Sequence, residues 1–318
     1  MGRILLYYKY VHLDEPEAIL KWQKKLCKKL GLTGRIIIAT EGINGTVGGS
    51  HEATQAYIDA MEEHYSFSGI DYKEAVGDET YFPRMRVVVK DEIVRLGVDP
   101  KKVTVKDGGK HLKPAEVHNL LNNAPEDLVI LDTRNNYESR IGTFRGSITP
   151  DITTFRELPE YIDTHLDQFK DKKVLMHCTG GVRCERATAY LQQKGITKEI
   201  YQIEGGIQRY IEQYPDGHFR GSNYVFDGRI ADRINSDILS ECDICTIPCD
   251  TYVNCVNVQC NKQFLACADC ALQFEECCGK TCYELVKNEM VKTRVKPARK
   301  ESIKKDVVSD NQRERTTE

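Results

Sequence analysis

The chain has 318 residues, a formal net charge of −3 and 13 cysteines. That length fits about two domains, and the near-neutral balance gives no global field of the kind that draws nucleic acid. No apolar run approaches the roughly 18 residues of a spanning helix, and the first residues lack the apolar core and cleavage site of an export signal. The cysteines therefore read as cytosolic thiols and metal ligands rather than a disulfide framework.

The first hundred residues form a unit of their own. Arg3 to Tyr10 alternates as a strand, and Pro16 to Leu30 is a helix with Leu20, Leu26 and Leu30 among its apolar positions, stopped at Gly31. Residues 34–39 and 43–48 are strands around a tight Glu41-Gly42 turn, 51–64 is a second amphipathic helix, and 72–76 and 85–89 are further strands. This order predicts a ferredoxin-like α+β domain over residues 1–100, an arrangement acylphosphatases share. The connection after the first strand carries Lys9 and His12 but no arginine to hold a phosphate, so catalysis by this unit alone is not expected. Tyr8 and Tyr10 fall on one strand face, where such sheets stack RNA bases. Packing is the plainer reading of two tyrosines in a strand. The pairs Lys24-Lys25 and Lys28-Lys29 read as a solvated helix face.

Residues 101–226 carry the pattern of a parallel α/β domain. Lys113-Pro114-Ala115-Glu116 opens a helix with proline in its first turn. Val129-Ile130-Leu131-Asp132-Thr133-Arg134 is a buried strand ending in charge, and a second strand reaches His177. Then come Cys178-Thr179-Gly180-Gly181-Val182-Arg183-Cys184 and a helix running to Gly195. Strands alternating with helices predict a parallel sheet covered on both faces. Catalytic loops lie at the carboxyl ends of such strands, where Asp132 and Cys178 both fall.

In that geometry the N–H groups of residues 179–184 can curl around the Cys178 sulfur, and the following helix directs its positive end there. Such surroundings lower a cysteine pKa from about 8.5 into roughly the 3.5–7.5 range. The alternative is a small apolar residue closing a core strand. The Thr-Gly-Gly run favours chemistry, because glycines let backbone approach an anion. Cysteine phosphatases place an arginine six residues after the cysteine to grip phosphate bidentately. Here Cys184 holds that position and Arg183 comes one residue early. The shorter loop, the Asp132-x-Arg134 strand end, the run from Glu138 to Ile148 and the closing Ile200–Ile203 with Gly205-Gly206 resemble rhodanese-type sulfurtransferase domains. Thr143 stands where that family has a histidine.

Residues 227–286 are dominated by ten cysteines within 41 positions. Two Cys-x2-Cys pairs, 242/245 and 267/270, fit thiolate-bound zinc. An interleaved partition puts Cys242, Cys245, Cys267 and Cys270 on one ion and Cys255, Cys260, Cys278 and Cys282 on a second, leaving Cys249 and Cys277 over. Structural zinc, one ion or two, would supply folding free energy that so few Leu, Ile and Val residues cannot. An iron–sulfur cluster is the competing reading. Residues 287–318 are polar and charged, and a disordered tail is expected.

The three regions in this order, with Glu41-Gly42-Ile43-Asn44-Gly45, the Cys178 loop, Tyr224-Val225-Phe226-Asp227 and Cys249-Asp250-Thr251, closely resemble the bacterial YceA/TrhO family of rhodanese-like tRNA uridine hydroxylases. The resemblance implies oxygen-dependent hydroxylation at C5 of wobble uridine 34. Molecular oxygen would be the co-substrate and the tRNA anticodon loop the partner. Cys178 would be the catalytic residue, with Thr179, Gly180, Gly181, Val182, Arg183 and Cys184 as its loop and with Asp132, Arg134 or Arg183 contacting substrate. Cys184 reads equally as a resolving thiol or a packing residue. No nucleotide-cofactor motif is evident, and neither membrane nor DNA is an expected partner. Plain persulfide transfer by Cys178 and a non-catalytic tRNA-binding module remain as alternative functions.

Overall fold

The computed structural model describes residues 2–77, 82–226 and 229–294. Strand β1 (Gly2–Tyr10) leads to helix α1 (Pro16–Leu30), which starts on a proline and ends where Gly31 turns left-handed at φ 66°. Strands β2 (Thr33–Ala39) and β3 (Gly42–Ser50) form a hairpin, and Ser50 caps α2 (His51–Glu62) by accepting from the Ala53 N–H. Strands β4 (Lys73–Gly77) and β5 (Met85–Val89) complete a sheet of order β4-β1-β3-β2-β5. The first four strands keep the expected ferredoxin-like order. The fifth adds to the far edge, parallel to β2. Leu5 and Tyr7 on one face of β1 join Ile36, Ile38, Val47, Tyr57 and Met61 in the core. By alternation Ile4, Leu6, Tyr8 and Tyr10 point the other way.

The next domain runs β6 (Lys110–Leu112), α3 (Pro114–Asn123), β7 (Leu128–Asp132), α4 (Asn136–Ser139), β8 (Gly142–Phe144), β9 (Ser147–Ile148), α5 (Leu158–Thr164) and α6 (Leu166–Phe169). It continues through β10 (Lys173–His177), α7 (Val182–Gln192), β11 (Glu199–Ile203) and α8 (Gly206–Gln213). The sheet order is β6-β11-β10-β7-β9, with every pairing parallel. Val174 and Met176 of β10 join one apolar cluster and Leu175 the other, so both faces are covered, as the continuous apolar run of that strand requires. Strands β12 (Phe219–Tyr224) and β13 (Ala231–Arg233) form a small antiparallel sheet with β8.

These two domains belong to one compact unit, residues 1–242 with 246–251. Arg186 of α7 is fully buried and reaches Glu41 at 2.9 Å and the Val98 carbonyl at 2.7 Å, while Arg209 of α8 meets Asp71 at 2.5 Å. The boundary expected at residue 227 falls later. Strand β13 pairs with β12, and Asp250 accepts from Ser222 at 2.6 Å and from Arg233.

The second unit comprises residues 243–245 and the chain from Tyr252. A hairpin of β14 (Tyr252–Asn254) and β15 (Gln263–Leu265) precedes α9 (Ala268–Gln273) and α10 (Lys280–Lys287), around a core of Cys255, Phe264, Ala266 and Cys277. Of the expected tail, the part up to residue 294 is folded, with Val258 N–H donating to Lys292 O and Arg294 N–H to Val256 O. Residues 295–318 lie outside the described residues. Among the described residues no helix is long and apolar enough to cross a membrane.

Candidate active site

Cys178 follows the last residue of the central strand β10, with neighbours β7 and β11 on either side. The chain turns through Gly181, at φ 104°, and enters α7 at Val182. The start of α8 shapes this turn from outside. Ile207 N–H donates to Cys178 O at 2.9 Å and Gln208 N–H to Thr179 O at 3.0 Å. Those carbonyls are thereby drawn away from the sulfur, and the amide of Gly181 donates to Cys178 Sγ at 3.2 Å. Gly206 is required there, since it sits at φ 70° and a Cβ would lie 2.6 Å from Cys178 O.

Burial pushes the Cys178 thiol up, but the Cys184 thiol, the Arg183 guanidinium and the backbone N–H groups of Cys184 and Arg183 outweigh it, leaving a pKa of about 6. Cys184 moves the opposite way, raised first by burial and then by Cys178, and its sulfur lies 3.6 Å from Thr133 Oγ1. Between these two buried sulfurs, Cys178 carries the charge at neutral pH. Of the six-residue loop, the amide that donates to the sulfur is that of Gly181, while those of Arg183 and Cys184 add favourable dipoles near it.

The two arginines are engaged within the protein. Arg183 grips Glu138 in a two-point pair at 2.5 and 2.7 Å and stands 5.7 Å from the centre of the Phe226 ring. Arg134 is fully buried, bonded to both oxygens of Asp132 and, at 2.5 Å, to Gly142 O. In this structure neither Asp132 nor Arg134 faces an opening, and Arg183 spends its fork on a carboxylate rather than a phosphate. Sequence spacing placed these three beside Cys178 without revealing that Glu138 and Asp132 already hold the cations. Thr143, at the family's histidine position, donates to Asp132 Oδ2 at 2.8 Å. His177 bonds Ser147 Oγ at 3.0 Å, and burial pushes its pKa down to about 4.

The outward face of β1 roofs the loop. A Cβ on Gly180 would lie 3.3 Å from Leu6 Cδ2, and one on Gly181 2.7 Å from the Tyr8 hydroxyl. Tyr8 donates to Glu185 at 3.0 Å, and Tyr10 donates to Val182 O at 3.2 Å. Glu185 also meets His111 and Gln202, each at 2.9 Å. Both tyrosines therefore pack, as the plainer reading held, but against the cysteine loop of another domain. Cys178 has no exposed surface. Beside Thr179 opens a small cleft, lined among others by Leu6, Lys73, Gln208, Phe226 and Arg229.

No disulfide joins any of the thirteen cysteines. The sulfurs of Cys242, Cys245, Cys267 and Cys270 lie within 4.8 Å of one another, as do those of Cys255, Cys260, Cys278 and Cys282. Cys260 and Cys278 are 3.6 Å apart, Cys278 and Cys282 3.7 Å, and Cys245 and Cys267 3.6 Å. Four thiolates around one tetrahedral ion at about 2.3 Å stand roughly 3.8 Å apart. A cluster spreads its ligands over several irons and needs wider spacing. The donor sets therefore fit one four-coordinate ion each. Cys277 lies in the apolar core, and Cys249 is buried in the first unit.

Three family models match: "UPF0176 acylphosphatase like domain" over residues 2–93, "Rhodanese-like domain" over 113–213 and "Rhodanase C-terminal" over 220–283. A Corynebacterium urealyticum protein named tRNA uridine(34) hydroxylase is 42% identical over 288 residues, covering 88% of this chain and 96% of that one. Proteins of the same name from Staphylococcus saprophyticus (39% identical, 91% of this chain and 92% of that one) and Bacillus velezensis (40%, 91% and 91%) are similar to it along most of their length. With likeness of that extent across both the roofing domain and the cysteine domain beneath it, the chain belongs to the tRNA uridine(34) hydroxylase family.

Proposed function

We propose that this protein hydroxylates C5 of uridine 34 in tRNA, with Cys178 as the nucleophile. The observation that carries the reading is the buried Cys178 sulfur, faced by the Gly181 amide at 3.2 Å and held at a pKa of about 6. The wobble base is single-stranded, so an enzyme takes it without opening a duplex. The cleft beside Thr179 offers a seat, with the Phe226 ring as a stacking surface. Because the sulfur is covered, a base that reaches it displaces a neighbouring side chain.

In the reaction the thiolate adds to uridine C6, and the C5–C6 π electrons move toward C5 and the C4 carbonyl. C5 then bonds to oxygen, the C5 proton leaves, and the S–C6 bond breaks to regenerate the thiolate. Net, uridine and dioxygen, with two electrons and two protons from an external reductant of the thiol or flavin class, give 5-hydroxyuridine, and the O–O bond breaks to release the second oxygen as water. Asp132 and Arg134 serve as a strut beneath the loop, and Arg183, fixed by Glu138, supplies positive charge beside the sulfur. The cytosol, where tRNA is decoded, is the proposed compartment. Zinc is the proposed occupant of the two four-cysteine sets, where it would act structurally.

The test is mass analysis of tRNA nucleosides from a strain lacking the gene, complemented with wild type or Cys178→Ser. Wild type restores 5-hydroxyuridine and the variant does not. Restoration by the variant refutes the role of Cys178. Persulfide formed on Cys178 from thiosulfate, without any change in tRNA, would assign sulfur transfer instead.

A further inference from the structure

The peptide unit joining Val182 to Arg183 is engaged at both ends. Its carbonyl accepts from the Tyr10 hydroxyl at 3.2 Å, and its N–H lies in the loop that favours the thiolate, two residues on from the Gly181 N–H that donates to Cys178 Sγ at 3.2 Å. A carbonyl that accepts a hydrogen bond polarises its amide and strengthens the N–H of the same unit as a donor. Tyr8, on the same strand face, stands over the neighbouring donor, Gly181, and is tied to Glu185 at 3.0 Å. The two rings brace each other edge-on, 6.1 Å apart at 74°. Strand β1 pairs with β3 along its whole length, with Tyr8 opposite Asn44 and Tyr10 opposite Gly42, and with β4 as far as Leu6. The hydroxyls are thus presented by a rigid element and not by a loop.

From this geometry, and resting on the reading of Cys178 as the nucleophile, we propose that Tyr10 is a positioning residue that acts through a single peptide unit to aim the Arg183 N–H at Cys178 Sγ. The N-terminal domain is in consequence a working part of the active site, beyond the cleft wall that Leu6 and Lys73 provide. Its contribution is to keep the sulfur's donors fixed in direction before any base arrives, so that no reorganisation is needed when charge shifts at the sulfur.

The full-length protein tests this with Tyr10→Phe, which removes one hydroxyl and keeps the ring. Glu41, Glu185 and Arg186, the charged groups around that ring, are retained in the variant, as are Arg183 and Cys184 beside the sulfur. Thiolate absorbance is titrated for each protein and corrected by its own Cys178→Ser counterpart. We expect the midpoint to rise by about 0.5 unit in Tyr10→Phe, a roughly threefold lower thiolate fraction on the acid side. Melting temperature is recorded alongside. An unmoved midpoint, with or without a lower melting temperature, overturns the proposal, because a merely structural hydroxyl would change stability alone. A wild-type midpoint near the ordinary cysteine value would instead remove the reading of Cys178 on which it rests. A shifted midpoint in a protein that leaves tRNA unmodified would sink the hydroxylase reading and leave the role of Tyr10 standing.

Discussion

Arg186 and Glu41 meet at 2.9 Å across the seam between two domains, with the guanidinium completely buried and Glu92 3.4 Å from the same nitrogen. Burial pushes the Glu41 pKa up, and the Ile93 N–H and Arg186 pull it back. Removing one member of such a pair strands the other's charge, at a cost of about 3–5 kcal/mol. Glu41→Ala should lower stability by that order in denaturant titration. The double variant Glu41→Leu with Arg186→Met should recover part of the loss, because only the Glu92 carboxylate, which keeps the Leu96 and Gly97 N–H groups, is then left without its cation. A double variant as unstable as the sum of its singles would show that the pair is not what joins the domains.

Glu138 and Arg183 form the second buried pair, directly beside the sulfur. Glu138→Ala frees the guanidinium from its two-point hold, and Arg183→Lys cannot reproduce the fork. Each should reduce 5-hydroxyuridine formation at least about 100-fold, and Arg183→Lys should raise the Cys178 pKa as positive charge beside the thiolate is displaced. Nucleoside mass analysis and thiolate titration read the two effects separately. Full activity in Arg183→Lys would show that only the charge matters.

The Cys178 thiol sits at about 6 in the folded chain and near 8.5 when unfolded. A depressed folded pKa gives stability that is complete above the unfolded value and is lost as pH falls through the folded one. The stability difference between wild type and Cys178→Ser should therefore widen between pH 6 and pH 8. Urea unfolding at several pH values measures it. A gap independent of pH across that window would mean that the sulfur is protonated throughout.

Gly206→Ala should be the most damaging single methyl in the loop region. The new Cβ would meet Cys178 O at 2.6 Å and Thr179 O at 2.7 Å, at a φ that side chains rarely adopt. Both clashing atoms are backbone, so relief has to move the loop itself. We expect a loss of about 3 kcal/mol or failure to fold, seen by thermal melting. Gly146→Ala, also at positive φ but with nothing within 4 Å, serves as the control and should cost about 1 kcal/mol.

If each four-cysteine set holds zinc, elemental analysis should give two ions per chain. Cys260→Ser and Cys278→Ser should each lose one of them, and a chelator should unfold the second unit. Iron with labile sulfide in the purified protein would overturn the zinc assignment.

Most of the scaffold was legible because its signals are local. Proline at the start of α1 and Gly31 at its end mark the helix, and the apolar run of β10 marks a strand covered on both faces. The interleaved grouping of the cysteines coincides with the two sets of sulfurs that lie within 4.8 Å, marked in the first by Cys-x2-Cys turns and in the second only by looser x4 and x3 spacings. What spacing could not carry were the pairings between distant residues. Arg186 and Glu41 are 145 positions apart, and Tyr8 and Glu185 are 177. Nothing periodic links such partners. Asp132 and Arg134 show the same limit at short range. Charge at a strand's carboxyl end reads as a ligand contact, whereas here the two side chains satisfy each other inside the protein. The extra strand β5 was visible as a strand, but its place beside β2 is a property of the assembled sheet.

The sheet face of β1 lies over the amides that solvate Cys178, so an excised cysteine domain would trade two phenols for bulk water at that spot. Its Cys178 would be a different acid from the one in the intact chain. Transplanting or trimming this enzyme therefore has to treat residues 1–93 and the sulfur they shelter as one inheritable piece.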